Sequence, residues 1–449
     1  MKNPSKASVK RESLPERVRD ETGVRARRVD LPVSSERLME CVLERENLFK
    51  ALRQVKSNGG SPGVDGMTVD ALPDYLRRNW PALRESLLRG TYQPKPVKRV
   101  EIPKPGGGVR QLGIPTVVDR FIQQALLQVL QPEWDGTFSD QSFGFRPKRS
   151  AHQAIVRAQR YIQSGYAWVV DLDLEKFFDR VNHDKLASLV RERAKDERVR
   201  TLIGRYLKAG VMIGDDYHEV GEGTPQGGPL SPLLANLLLD LLDKELERRG
   251  HCFVRYADDC NVYVKSAKAG RRVLASVTRY LLRKLRLKVN ESKSAVDRPW
   301  RRRFLGFTFT GRRPNRRKVS DKAILRFQEE IRQRTQRTRG VTFQRVVDEL
   351  RSYLLGWQAY FGFSEAKSGF KELDSWIHRR LRCYLWKQWG RRRYRELRGR
   401  GVSRDLAWNT VKSAHGPWRL SRSPALAFAL PSRYFSQLGL PLLYERSPR

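Results

Sequence analysis

The chain has 449 residues, which at roughly 150 residues per folded unit leaves room for about three. Apolar residues make up 39% of it and aromatics 10%, enough to build sizeable cores, so a wholly disordered chain is excluded. Lysines and arginines number 89 against 49 aspartates and glutamates, a formal charge of +40, so the surface repels itself until a polyanion neutralises it. Nucleic acid is the partner this charge points to first, and an acidic membrane fits less well because the excess is not confined to one amphipathic helix.

Residues 1 to 35 mix charged and small polar groups and predict a flexible basic arm; they contain no apolar block, so no secretory signal is expected. Leu48, Leu52 and Val55 then fall on one helical face that stops at Asn58-Gly59-Gly60, and after a Gly/Pro loop a second helix is predicted from Leu72 to Leu88. Val97 to Ile102 and Val109 to Ile114 read as two strands around a tight Pro/Gly turn. Phe121 to Leu130 is an apolar, Gln-rich buried helix, and Ala167 to Leu174 a short apolar strand punctuated by Asp171 and Asp173. Pro232 to Leu246 predicts another buried helix; the apolar run around it is broken by Asn236 and Asp240 and is too short to span a bilayer. Cys252 to Val264 gives two strands joined at Ala257-Asp258-Asp259. This mixture predicts an α+β unit over residues 36–311.

Beyond Gly311 only helical periods remain: Ile324, Phe327, Ile331; then Val346 or Val347, Leu350, Leu354, Trp357, Phe361; then Leu373, Trp376, Ile377, Leu381, Tyr384. They predict a small all-α bundle over residues 312–389. Residues 390–449 read as a basic nucleic-acid-binding segment, because Arg379 to Arg404 holds eleven Lys/Arg against one acid and the stretch from His415 has no clear period. The four cysteines form no Cys-x-x-Cys pair, so neither a disulfide framework nor a structural zinc site is expected, and the protein is expected in the reducing cytoplasm with no membrane partner.

In so basic a chain, carboxylates beside apolar strand residues need a reason. Asp258 and Asp259 lie between Phe253-Val254-Arg255-Tyr256-Ala257 and Cys260-Asn261-Val262-Tyr263-Val264. Adjacent acids flanked by buried strands repel each other and lose hydration unless a cation joins them. Mg²⁺, which takes one or two carboxylates plus phosphate oxygens and water, suits that position, and Asp173 at the end of the other acidic strand is placed to complete it. The bland alternative is a pair of solvated acids at an ordinary hairpin turn.

Tyr256-Ala257-Asp258-Asp259 resembles the catalytic box of reverse transcriptases, and companion blocks occur in that family's order. These are Ile102-Pro103-Lys104 with Val109 to Pro115, then Ser142-Phe143-Gly144-Phe145-Arg146-Pro147, then Asp173 to Asp179. Thr224-Pro225-Gln226-Gly227-Gly228, Val289 to Ser294 and Phe304-Leu305-Gly306-Phe307 also match. The Pro-Gln-Gly-Gly block and Tyr353 to Trp389 resemble group II intron maturases in particular, and the likeness covers about residues 40 to 445.

The resemblance implies a right-hand polymerase: α+β fingers and palm, then an all-α thumb or maturase domain and the basic C-terminal segment. Asp173, Asp258 and Asp259 match the catalytic acids, and with the Leu174 carbonyl would hold two Mg²⁺ ions, Mn²⁺ being able to substitute. Lys104, Arg110, Phe177, Phe178, Gln226 and Lys293 match nucleotide-binding positions, with Phe178 crowding the sugar 2′-position and so favouring deoxynucleotides. Arg146, Gly227 and Gly228 are expected at the template, and Arg379, Arg380, Arg391, Arg392, Arg393 and Arg395 on RNA. Asp171 and Asp179 match no catalytic position, and Trp357, Phe361, Trp376 and Tyr384 read as core. The implied partners are a group II intron RNA, an RNA template with a DNA primer, target DNA and deoxynucleoside triphosphates. No His-Asn-His endonuclease segment is recognised, which resembles the endonuclease-lacking (group IIC-like) lineage. A host-domesticated or defence-associated reverse transcriptase and a splicing-only maturase are the alternatives.

Overall fold

A computed structural model describes residues 37–103, 108–224 and 227–445; the arm expected over 1–35, Lys104 and Gln226 lie outside the described residues. In chain order come α1 (Leu38–Val42), α2 (Arg45–Asn58), α3 (Leu72–Leu88), β1 (Val97–Pro103), β2 (Val109–Ile114), α4 (Val117–Asp135), α5 (Ala151–Gln163) and β3 (Trp168–Leu172). There follow α6 (His183–Arg193), α7 (Glu197–Leu207), β4 (Val211–Ile213), β5 (Asp216–His218), α8 (Ser231–Arg248), β6 (Cys252–Tyr256), β7 (Asp259–Val264), α9 (Ala267–Tyr280) and β8 (Ala295–Asp297).

Two four-stranded sheets organise this half. The first has the order β2-β1-β4-β5, with β1 and β2 an antiparallel hairpin in which Ile102 faces Arg110. The second, β6-β7-β3-β8, is antiparallel throughout. Its residues alternate between faces as the pleat requires. Val170, Leu172, Val262 and Val264 join α8 and α9 in the larger core, while Val169, Val254 and Tyr263 pack under α5 in a separate one. Both faces are therefore covered over most of their length, and the acids lie beyond that cover.

A short hairpin, β9 (Phe307–Phe309) with β10 (Arg317–Val319), leads into α10 (Asp321–Arg334), α11 (Phe343–Phe361) and α12 (Ser368–Trp389). The three helical periods read from the sequence are the faces that meet: Phe327, Ile331, Val346, Val347, Leu350, Leu354, Trp357, Leu381 and Tyr384 form one core, with Phe361 and Trp376 packed at its edge. The bundle is docked on the back of the sheet domain. His152 of α5 stacks on Phe363 at 4.4 Å between ring centroids and donates from Nε2 to the Tyr360 carbonyl at 2.8 Å. Gln159 of the same helix bonds the Asn315 carbonyl and Glu365 at 2.8 and 2.7 Å.

The division expected at residue 390 is not a boundary. The chain continues as α13 (Arg393–Gly399), α14 (Arg404–Lys412), α15 (Pro417–Leu420), α16 (Pro424–Ala429) and α17 (Ser432–Gln437). Leu397, Ala407, Leu426, Leu430, Phe435 and Leu443 enter the same core as α10–α12. Helices of four to nine residues make too few turns to display a period, which is why the sequence pattern hides them. Asp374 of α12 pins the far end by accepting the Leu443 and Tyr444 amides at 3.0 and 3.3 Å. Phe435→Ala should accordingly cost the helical domain about 3–5 kcal/mol; a loss below about 1 kcal/mol in denaturant unfolding would mean that the last helices are detached from the core.

Candidate active site

The register of the second sheet brings the acids together. β3 pairs with β7 so that Leu172 faces Cys260; one residue further, Asp173 comes opposite Asp259, while Asp258 occupies the β6–β7 turn. Ala257 enters that turn in the left-handed region at φ 57°. Desolvation first, then the charge of Asp173, raises the Asp258 carboxyl, and the nearby Arg110 opposes the rise. Asp259 opens to the cleft but is backed by protein on its other sides. Desolvation, followed by repulsion from Asp258, Asp171 and Asp173, pushes it up to about 7. Asp171, the remaining acid of β3, is held by Arg302 at 2.6 Å and is thereby taken up in a structural ion pair.

Backbone contacts aim Asp173. Its amide donates to Ser294 Oγ at 3.0 Å, and its carbonyl accepts the Asn290 amide at 2.8 Å. The Glu175 amide bonds the Lys288 carbonyl at 2.8 Å, a pairing that leaves the Leu174 carbonyl with no backbone donor among the described residues. The Asn290–Ser294 turn also carries Lys293, whose ammonium stands 3.7 Å from the Asp173 carboxylate.

These donors are all hard oxygens, which fits Mg²⁺. No three His, Cys, Asp or Glu side chains among the described residues form a ready-made metal cage.

The hairpin of β1 and β2 borders the cleft and presents Arg110, exposed, toward Asp258. Phe178 sits in the short turn Phe177–Arg180 and meets Phe177 edge-on at 5.1 Å. The two rings divide: Phe178 lines a cavity of about 230 Å³ with Gln111, Leu112, Gly113 and Thr224, whereas Phe177 is 3% exposed, part of the core, and not available to a nucleotide. The Thr224 amide donates to the Phe178 carbonyl at 2.6 Å, fastening the Gly-rich loop to this turn. Gly227, at φ 138°, lies where a Cβ would stand 2.5 Å from the Gly113 carbonyl of β2, and a Cβ on Gly228 would meet the Gln123 amide oxygen at 2.5 Å. The loop thus packs closely on β2 at Gly227 and on the Gln123 side chain of α4 at Gly228.

Arg146, expected at the template, is buried instead. Its side chain is 3% exposed; Nε bonds Asp135 at 2.7 Å, and the terminal nitrogens bond the Ser139, Ser142 and Asp135 carbonyls. It braces a loop and has no donor left for a strand. Among the basic residues expected on RNA, Arg379 lies on Trp418 and bonds its carbonyl at 3.0 Å. Arg380 bonds Thr335 at 2.6 Å, and Arg393 the Trp386 carbonyl at 3.0 Å. Arg391, Arg392 and Arg395 are exposed on the surface.

One group of residues escaped the sequence patterns. Arg255 of β6 is fully buried and paired with Asp243 of α8 at 2.5 Å, and Asn236 of α8 joins them. An arginine inside an apolar strand and an aspartate inside an apolar helix are the signals that mark such a pair.

Acids at the ends of paired strands, an arginine-bearing hairpin at the cleft and a helical domain beyond define a template-directed polymerase of the reverse transcriptase class. The reverse transcriptase (RNA-dependent DNA polymerase) family matches residues 102–309. The maturase-specific domain of group II introns matches residues 324–401. Protein YkfC of Escherichia coli K12 is 34% identical over 301 residues, covering 58% of this chain and 79% of that protein. The group II intron-encoded protein LtrA of Lactococcus lactis is 38% identical over 209 residues, covering 46% of this chain and 35% of LtrA. Nuclear intron maturase 2, mitochondrial, of Arabidopsis thaliana is 29% identical over 177 residues, 30% of this chain and 24% of that one. A solved partial Cas6-RT-Cas1–Cas2 complex is 25% identical with a TM-score of 0.36, covering 55% of this chain and 43% of that chain, too low a likeness to carry an argument. The protein belongs to the group II intron-encoded reverse transcriptase and maturase family, and it is an RNA-directed DNA polymerase. No helix among the described residues is long and apolar enough to cross a membrane.

Proposed function

We propose that this protein binds a group II intron RNA, assists its splicing, and copies it into DNA at a new site. The observation that supports this most is the joining, in one chain, of an acid cluster built for phosphoryl transfer to a basic maturase-type helical domain. A decayed, splicing-only relative has no reason to keep Asp173, Asp258 and Asp259 together against their mutual repulsion.

In this reading Asp173, Asp258, Asp259 and the Leu174 carbonyl hold two divalent ions, Mg²⁺ or Mn²⁺. When bound, these supply the charge for in-line displacement of pyrophosphate by the primer 3′-hydroxyl. Arg110 and Lys104 grip triphosphate oxygens, and Gln226 bonds the incoming nucleotide. Lys293 offers the leaving pyrophosphate a cation or a proton, a role that its 3.7 Å spacing from Asp173 supports. Phe178, five residues after Asp173, closes the space that a ribose 2′-hydroxyl would fill. The exposed Arg391, Arg392 and Arg395 hold intron RNA by its phosphates, adding binding energy and counter-charge while the RNA itself performs splicing.

Asp258→Ala should abolish primer extension on an RNA template yet leave intron RNA affinity and splicing assistance intact; loss of both together would contradict the division of labour. Phe178→Ala should raise ribonucleotide incorporation relative to deoxynucleotides by about 10-fold or more, and an unchanged ratio would remove Phe178 from the gate. Replacing Arg391, Arg392 and Arg395 together with alanine should weaken RNA binding and flatten the log–log salt slope by about 2; an unaltered slope would place the contacts elsewhere.

A further inference from the structure

The β6–β7 turn that carries Asp258 is gripped from two sides by groups that touch neither cleft nor surface. On one side the Arg255 guanidinium spends its donors inside the protein. Nε bonds both Asp243 oxygens at 2.8 and 3.0 Å, Nη2 bonds Asp243 at 2.5 Å, and Nη1 bonds Asn236 Oδ1 at 3.0 Å and the Ala257 carbonyl at 2.9 Å. Asn236 passes the connection on, donating to the Gly144 carbonyl at 2.9 Å. On the other side Gly144 lies against the turn itself: a Cβ there would stand 2.2 Å from the Ala257 amide nitrogen. Gly144 is not in the left-handed region, so contact alone, not backbone conformation, requires the glycine. Ala257 is left-handed, a conformation that a residue with a Cβ keeps only when its surroundings hold it there.

We propose that Arg255, clamped by Asp243 and Asn236, is a positioning residue for polymerisation: with Gly144 it fixes Ala257, and so sets where Asp258 stands relative to Asp173. This rests on the polymerase reading above. The Arg255 side chain, 1% exposed, cannot meet substrate and acts only through the turn. A displacement of about 1 Å in a reacting group lowers rates by on the order of 100-fold, so loosening this grip reaches the chemistry without removing any acid.

The test compares wild type with Arg255→Lys, which keeps the charge but cannot form the fork, and with Gly144→Ala, which leaves every charge in place and presses on Ala257 from the other side. Thermal melting selects the variants that fold. Each is then measured for Mg²⁺ dependence of primer extension, for Mn²⁺ binding by electron paramagnetic resonance, and for RNA affinity. The inference expects a several-fold higher Mg²⁺ requirement and equally weakened Mn²⁺ binding. Extension should fall about 10- to 100-fold, with RNA affinity within about twofold of wild type. Wild-type Mg²⁺ dependence and Mn²⁺ binding in a folded variant would overturn it, leaving Arg255 a core ion pair only. Failure of the wild type to extend any primer would count against the polymerase reading instead, and the Mn²⁺ measurement would still decide the role of Arg255.

Discussion

Like charges held close at the edge of an apolar sheet are costly. Strand register brings Asp173, Asp258 and Asp259 to one end of the sheet, where burial and mutual repulsion both oppose their charge. The basic charge that dominates the chain is spent elsewhere: Arg302 on Asp171, Arg255 on Asp243, Arg146 on Asp135. Lys293 stands 3.7 Å from Asp173, and Arg110, Arg255 and Arg303 act on Asp258 or Asp259 from further off, yet Asp259 still rises to about 7. The arrangement is frustrated by itself, and a divalent cation is what would relieve it.

Two supports of different kinds hold them. Asp173 is fixed through its backbone by the Asn290–Ser294 turn. Asp258 and Asp259 are carried on a turn whose left-handed residue is bonded from below by a fully buried guanidinium. A buried ion pair is weak support for overall stability, because desolvation consumes most of its attraction. Its directional bonds serve instead to fix one conformation of the turn. The helical domain is joined to the same framework through α5, whose His152 and Gln159 reach Phe363, Asn315 and Glu365.

Much of this was legible in the residues because it depends on periodicity and on charge out of place. The alternation around Asp171 and Asp173, the paired strands around Asp258 and the three helical faces beyond Gly311 all appear as read. What stayed hidden depends on which way a side chain turns. Arg146 looks like any other cation in a basic chain, yet it is buried against Asp135, and Phe177 differs from its neighbour Phe178 only by the twist of one short turn. Arg255 and Asp243 come from different elements, so neither announces the other. The helices after residue 390 are too short to show a period, and their packing appears only once α12 is in place.

The proposed pair of divalent ions would lie between the end of β3 and the β6–β7 turn. Substituting Fe²⁺ in the presence of primer, RNA template and a deoxynucleotide, then generating hydroxyl radicals, tests this directly, because the chain is cut only close to the bound ion. The account predicts cuts near Asp173 and near Asp258, both suppressed by excess Mg²⁺. Cleavage confined to one segment, or insensitive to Mg²⁺, would contradict it.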